Sequence, residues 1–205
     1  MDLYNWIIFQ SKLPWLKIIQ ECPYQDMLNE ARSVRHRFVP HRYTTGEDHQ
    51  GWSSLVIHGL GPECTLAHES YGYNDIMKAP HEWTEIADVC PVTKQWVESL
   101  EFEHLFRVRF MLLEAGGFIA EHTDTDQSRL FAYNIALNQP KECIFTMTDY
   151  GVIPFNQGDT FLLDVSNSHH VYNKSLEDRY HIIIHGVPGI KAKDRVVKSF
   201  LKSKK

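Results

Sequence analysis

Two residues in the stretch "EHTDTD" set the chemical question. His122 and Asp124 stand two apart. On a β-strand residues i and i+2 point to one face, so these side chains can reach a single point. A neutral imidazole and a carboxylate make two thirds of a facial two-histidine, one-carboxylate set, which holds Fe(II) and leaves open positions for substrates. Alone the pair carries little, because a chain with 12 histidines meets it about once by chance. A third ligand has to come from elsewhere, and "SNSHHVYN" offers His169 and His170. As strand neighbours they face opposite ways, so one of them points inward, and a bulge at the strand start would exchange them. Arg179 opens the apolar stretch "RYHIIIHG". Its guanidinium is the always-charged fork that a dicarboxylate needs for its far end.

The elements that must position these groups read as short strands. From residue 105, "LFRVRFMLL", "FIAEHTD", "RLFAYNIAL", "CIFTMT", "GVIPF", "DTFLLDV", "HHVYN" and "RYHIIIHG" are rich in β-branched and aromatic residues. Turn chemistry separates them, including Glu114-Ala115-Gly116-Gly117, Tyr150-Gly151 and Asn156-Gln157-Gly158-Asp159. About eight such strands predict an antiparallel sandwich or barrel, the jelly roll among the options. The first hundred residues carry helical signals: "SKLPWLKIIQE" with Ser11 as cap, "PYQDMLNEARSVRHRF" behind Pro23, and "CPVTKQWVESL". "GWSSLVIHGLG" reads as a strand. Helices first and strands after predict an α+β fold with the helices packed on one face of the sheet.

The whole chain, 205 residues, fits one domain. Its expected parts are a helical and loop-rich segment (1–104), a strand core (105–188) and a basic tail or short helix (189–205), read as solvated and fraying. Apolar residues at 43% and charged residues at 23% describe a globular chain, and a net charge of −5 offers no basic field for nucleic acid. No apolar run is long enough for a membrane span. The N-terminal apolar patch lacks a basic n-region and is not read as a signal peptide. The four cysteines form no C-x-x-C pair, which argues against a zinc knuckle or disulfide scaffold and predicts reduced thiols in a cytoplasmic setting.

The chain resembles the Fe(II)/2-oxoglutarate-dependent oxygenases, and within them the aspartyl/asparaginyl β-hydroxylase group with its proline hydroxylase-like relatives. That group reads roughly R-x-R-x-x-x-L-x-x-G-G-x-I-x-x-H-x-D, then a strand with R-x-H, then G-E-x-x-x-F-D-x-x-x-x-H-x-V-x-N-x-S-x-x-D-R-x-H-L. "RVRFMLLEAGGFIAEHTD" and "QGDTFLLDVSNSHHVYNKSLEDRYHIII" follow it over residues 105–186, with a looser match through "HRYTTGEDHQGWSSLVIHG". The resemblance implies a double-stranded β-helix (jelly roll, cupin-like). It also implies a hydroxylase that uses Fe(II), 2-oxoglutarate and O2 on an amino acid, peptide or small metabolite.

The register of the resemblance selects His169, ten residues before Arg179, and puts His170 on a variable position. His122, Asp124 and His169 are then the implied metal ligands and catalytic centre, with Arg179 on the C5 carboxylate of 2-oxoglutarate. One departure stands out: where the group has R-x-H, this chain has Ala132-Tyr133-Asn134. Asn134 can donate a hydrogen bond but carries no charge. Asn134 and His181, the latter matching a family histidine, join Arg179 as implied cosubstrate contacts. Tyr133 reads as packing. Arg107 and Arg109 share a strand face, more often a solvated one than a substrate contact. Trp52, His58, Tyr71 and Tyr73 belong to the segment that would cover the barrel mouth. The alternatives are a non-catalytic jelly roll that binds metal or a small ligand, which the Asn134 departure favours, and a zinc hydrolase, for which no general base is evident.

Overall fold

Alternation with a period of two builds this molecule. The computed structural model describes residues 1–41, 48–125 and 127–204; residues 42–47 of the looser match, Asp126 and Lys205 lie outside them. In chain order the elements are α1 (Leu3–Gln10), β1 (Trp15–Ile18), α2 (Tyr24–Ser33), β2 (Val39–Pro40), β3 (His49–Gly59), β4 (Glu82–Trp83), α3 (Glu85–Val89) and α4 (Pro91–Ser99). Then follow β5 (Phe102–His122), β6 (Ala132–Ala136), β7 (Cys143–Met147), β8 (Gly151–Val152), β9 (Thr160–Leu163), β10 (His169–Asn173), β11 (Arg179–Pro188) and α5 (Ile190–Ser203). The strands form one curled antiparallel sheet in the order β1-β9-β6-β11-β5-β10-β7-β8, with β3 along the other edge of β5. The fold is α+β, a jelly roll.

On β5 the residues Val108, Phe110 and Leu112 share a face with Tyr180, Ile182 and Ile184 of β11 and with Tyr133 and Ile135 of β6. They join one apolar cluster with Met27, Ala31, Trp96, Val97, Val196 and Phe200 from the helices. Tyr133 thus packs, as its sequence context predicts. The alternate residues of the same strands turn to the inside of the curl and line a cavity of about 530 Å³. A second apolar cluster, with Phe145, Phe155, Phe161 and Val171, fills the rest of the interior. Among the described residues no helix is long and apolar enough to cross a membrane.

Three expectations are corrected. The Glu114–Gly117 segment was expected to end a strand, but β5 runs through it. Gly116 takes φ +75°, and a Cβ on Gly117 would fall 2.7 Å from the Gln50 carbonyl oxygen. Only glycine fits there, and the strand turns a corner without breaking. Before the corner β5 pairs with β11, and after it with β10.

"SKLPWLKIIQE" is not a helix either. Ser11 closes α1, its hydroxyl donating to the Ile7 carbonyl at 2.6 Å, and Lys12 at φ +52° precedes β1. β1 pairs with the edge of β9, placing Leu16 and Ile18 in the helix-side core. Here the free β9 edge overrides local helix propensity.

Finally, the basic tail is a docked helix. α5 buries Ala192, Val196, Ser199 and Phe200, and Phe200 meets Trp6 at 5.8 Å. The segments "PYQDMLNEARSVRHRF" and "CPVTKQWVESL" hold the expected helices α2 and α4, although α2 stops at Ser33 and a 3-10 turn follows.

Candidate metal centre

His122 ends β5 and His169 begins β10, and the two are cross-strand partners with ring centroids 4.4 Å apart. Asp124, two residues beyond His122, is pinned by its main-chain N–H donating to the Val165 carbonyl at 2.9 Å. One donor atom from each of the three side chains lies within 4.8 Å of the others. His122 Nε2 is 3.2 Å from Asp124 Oδ1.

The tautomers are set from behind. His122 Nδ1 faces the Ala120 carbonyl at 2.8 Å and His169 Nδ1 faces the Asn167 carbonyl at 2.9 Å. A carbonyl only accepts, so both Nδ1 atoms carry the proton and both Nε2 lone pairs turn toward the shared point. Burial lowers the basicity of His169, which favours the neutral imidazole a metal requires. The loop before His169 is shaped by Asp164, whose carboxylate accepts from Ser128 Oγ at 2.8 Å and Ser166 Oγ at 2.6 Å.

A bulge does occur at the start of β10: the register against β5 shifts between His169 and Val171. His169 is buried and lines the cavity, whereas His170 turns outward with its ring against Tyr172 at 5.4 Å.

Deeper in the same cavity Arg179 is buried, and its Nε lacks a hydrogen-bond partner. Burial lowers its pKa to about 10, which still leaves it charged at neutral pH. No carboxylate lies within ion-pair distance of it among the described residues; its neighbours are the Phe145 ring at 5.6 Å and His181 Nδ1 at 2.8 Å. Burial, and then Arg179, hold His181 well below its usual range, so the ring is neutral. His181 Nε2 faces Gln139 Oε1 at 3.2 Å, and its Nδ1 lies 2.6 Å from the Asn134 side-chain amide. The neutral ring thus sits between the Arg179 guanidinium, the Asn134 side-chain amide and Gln139. Asn134 and Gln139 fix the imidazole that steadies Arg179.

The structure thus brings His122, Asp124, His169, Asn134, Arg179 and His181 to one cavity. Arg107 and Arg109 correct the expectation of a solvated face. They line the cavity and donate to main-chain carbonyls of the 60–81 segment, Arg109 to Thr65 at 3.0 Å and Arg107 to Thr65 at 3.1 Å and to Leu66. Trp52 also lines it, 6.3 Å from the His122 ring, while His58 packs on Trp83 at 4.9 Å. The Tyr71 hydroxyl accepts from the Leu66 N–H at 3.2 Å, within the segment that walls the mouth.

Sequence reasoning missed Arg129, Phe131 and His41 on the cavity wall. It also passed over Asn173, whose amide donates to the Leu113, Glu114 and Glu177 carbonyls and clamps the β5 corner. Asn173 and Asp164 fall on fixed letters of the family pattern, a signal that was available; Arg129 has none.

A family profile described as aspartyl/asparaginyl beta-hydroxylase matches residues 21–187. Among solved structures, a prolyl hydroxylase from Trichoplax adhaerens, in complex with a hypoxia inducible factor oxygen degradation domain peptide fragment, gives a TM-score of 0.51. Its identity is 11%, over 99% of this chain and 91% of that one, and the likeness supports the jelly-roll fold. A prolyl-4-hydroxylase from Pseudomonas putida gives a TM-score of 0.48 at 14% identity, over 91% and 98% of the two chains. A search of curated protein sequences found no match.

Proposed function

The chain belongs to the aspartyl/asparaginyl β-hydroxylase family, and on that premise we propose an Fe(II)- and 2-oxoglutarate-dependent dioxygenase. It hydroxylates an unactivated C–H of an amino acid, a peptide or another small metabolite. One observation carries the reading: a three-donor set and a buried guanidinium, with no carboxylate partner among the described residues, line a single cavity.

The residues fit the groups implied. Two neutral imidazoles and a carboxylate suit Fe(II), and a desolvated cation in an apolar wall suits the far carboxylate of 2-oxoglutarate. Bound there, Fe(II) with 2-oxoglutarate and O2 supplies the oxidising power to place a hydroxyl on carbon, with succinate and CO2 as co-products. The chain's own residues prepare that site. His122 and His169 present Nε2 lone pairs, and the Asp124 carboxylate brings the ligated dication to a net charge of about +1, which tolerates an anionic chelator. Arg179 takes the far carboxylate through parallel N–H groups, while His181, Asn134 and Gln139 hold it in orientation. Asn134 fills this positioning place without charge. Phe145, Leu163 and Val171 keep water from the guanidinium side.

The N-terminal helices, α5 and the 105–188 strands share one apolar cluster, which supports one working domain.

The test is an anaerobic titration of metal-free protein with Fe(II) and then 2-oxoglutarate, followed by the visible charge-transfer band of a chelated keto acid. The expected result is a band in wild type and in His170→Ala that is absent in His169→Ala. No band in wild type despite tight metal binding overturns the reading and leaves a non-catalytic binding jelly roll.

A further inference from the structure

The three donors of the metal centre are not held in the same way. His122 is oriented by the Ala120 carbonyl of its own strand, β5. Asp124 and His169 hang instead from one short turn, residues 164–167, at the end of β9. The Val165 carbonyl accepts from the Asp124 N–H at 2.9 Å, and the Asn167 carbonyl faces His169 Nδ1 at 2.9 Å. Two of the donors therefore take their places from carbonyls that lie two residues apart.

Asp164 makes that turn. Its Oδ1 accepts from the Ser166 N–H at 3.2 Å and from Ser166 Oγ at 2.6 Å, an Asx turn in which the side chain stands in for a backbone acceptor. Its carbonyl accepts from the Asn167 N–H at 3.2 Å and the Asn167 side-chain amide at 3.0 Å. The other carboxylate oxygen, Oδ2, reaches the connection that carries Asp124 and accepts from Ser128 Oγ at 2.8 Å. Behind the turn, the Asp164 N–H donates to the Pro14 carbonyl at 2.9 Å and ties it to the segment entering β1.

The burial of this carboxylate needs a reason. Asp164 is 3% exposed, has no cation within ion-pair distance among the described residues, and is not one of the three donors. Taking a carboxylate out of water opposes folding, and hydroxyl and amide donors offset only part of that cost. What the position supplies is geometry, because one side chain bonds both the connection of Asp124 and the turn of His169.

We propose that Asp164 is a positioning residue of the metal centre. It touches neither metal nor substrate; by shaping the 164–167 turn it sets Asp124 and His169 as one unit relative to His122. The inference goes beyond the proposed reaction and rests on its metal centre alone, not on the cosubstrate.

The test titrates full-length, metal-free protein with Co(II) against a competing chelator. Bound Co(II) moves the exchangeable Nδ1–H protons of its histidine ligands far from the rest of the proton spectrum, one signal for each ring. Their neighbours tell them apart, Trp52 at 6.3 Å for His122 and Phe145 at 5.7 Å for His169. Asp164→Ala is expected to weaken Co(II) binding by about 10–100-fold. It should also displace the His169 signal and speed its exchange with solvent, while the His122 signal stays where wild type has it. Asp164→Asn, whose amide can still accept from Ser166 and donate to Ser128 Oγ, is expected to restore most of the affinity. Should Asp164→Ala fail to fold, Ser166→Ala carries the test, since it removes one donor to the carboxylate; the same changes are expected in smaller degree.

A role in folding alone lowers stability in urea and leaves Co(II) affinity and both signals of the folded protein unchanged, which overturns the proposal. So does an equal displacement of both histidine signals. A wild type that binds no Co(II) overturns the metal centre and this proposal together. A missing keto-acid band in wild type, with the Co(II) comparison as expected, sinks the oxygenase reading and leaves the inference standing.

Discussion

The two faces of β5 and β11 differ more than any two elements of the molecule. Val108, Phe110, Leu112, Tyr180, Ile182 and Ile184 point to the helices and are buried among apolar neighbours. Arg107, Arg109, Arg179, His181 and His185, interleaved with them, point to the cavity. Each large apolar side chain on the outer face stabilises the fold by roughly 1.5–3 kcal/mol. On the inner face each desolvated cation or neutralised histidine opposes folding. One backbone thus carries stability on its even residues and chemistry on its odd ones, and the helix side offsets what the cavity side costs.

The sharpest way to separate the faces is Phe110→Ala, expected to remove about 3–5 kcal/mol of stability in urea unfolding. Metal affinity of the fraction that remains folded should be unchanged. Arg179→Met is the mirror case. N-oxalylglycine binding should weaken by about 2–5 kcal/mol, while the melting temperature holds or rises because a buried cation with no carboxylate partner among the described residues is gone. A stability loss on the Phe110 scale would break the comparison. His169→Ala should lower metal affinity beyond the ~100-fold that outer-shell changes reach, with folding largely retained.

Acid should expose the cost of the neutral histidines. Burial, then His81, lowers His58 to about 4, and His181 and His185 are held well below 6.5. The unfolded chain therefore takes up protons that the native state refuses. Their contribution is fully present above the unfolded value and is lost as pH falls below it, for His58 across the window from 6.5 to about 4. Each such histidine adds a slope of at most ~1.4 kcal/mol per pH unit, and His58→Gln should make chemical unfolding from pH 7.5 to 5 shallower by one proton. The smallest effect is expected for His170→Ala, within about 0.5 kcal/mol of stability and without change in metal affinity, since its ring faces outward.

Much of the site was legible because metal chemistry restricts residue types. The spacing of His122 and Asp124 and the register to His169 and Arg179 survive in one dimension. The choice of His169 over His170 was not a matter of parity, because the bulge before Val171 resets it; the family register supplied it. Asn134 was read as a cosubstrate contact, yet its amide lies on His181, a pairing between β6 and β11 that no local pattern displays. Arg107 and Arg109 were weighed toward solvent because a charged strand face usually is solvated, and their carbonyl partners come from the distant 60–81 segment. Arg129 was invisible, since one arginine in a polar connection has no pattern of its own.

By itself the sequence determined which residues share a face: strand geometry repeats every two residues wherever the chain is extended, so Arg179, His181 and His185 were bound to travel together. It also determined the donor set, because few residue types bind Fe(II) or a carboxylate. Only the tertiary structure decided which face became the inside. That choice depended on where the apolar face found its helices, on the edge of β9 that turned Trp15–Ile18 into a strand, and on the glycine corner that carries β5 from β11 to β10. These are pairings between segments far apart in the chain, and their free energy is set by partners that no local window contains.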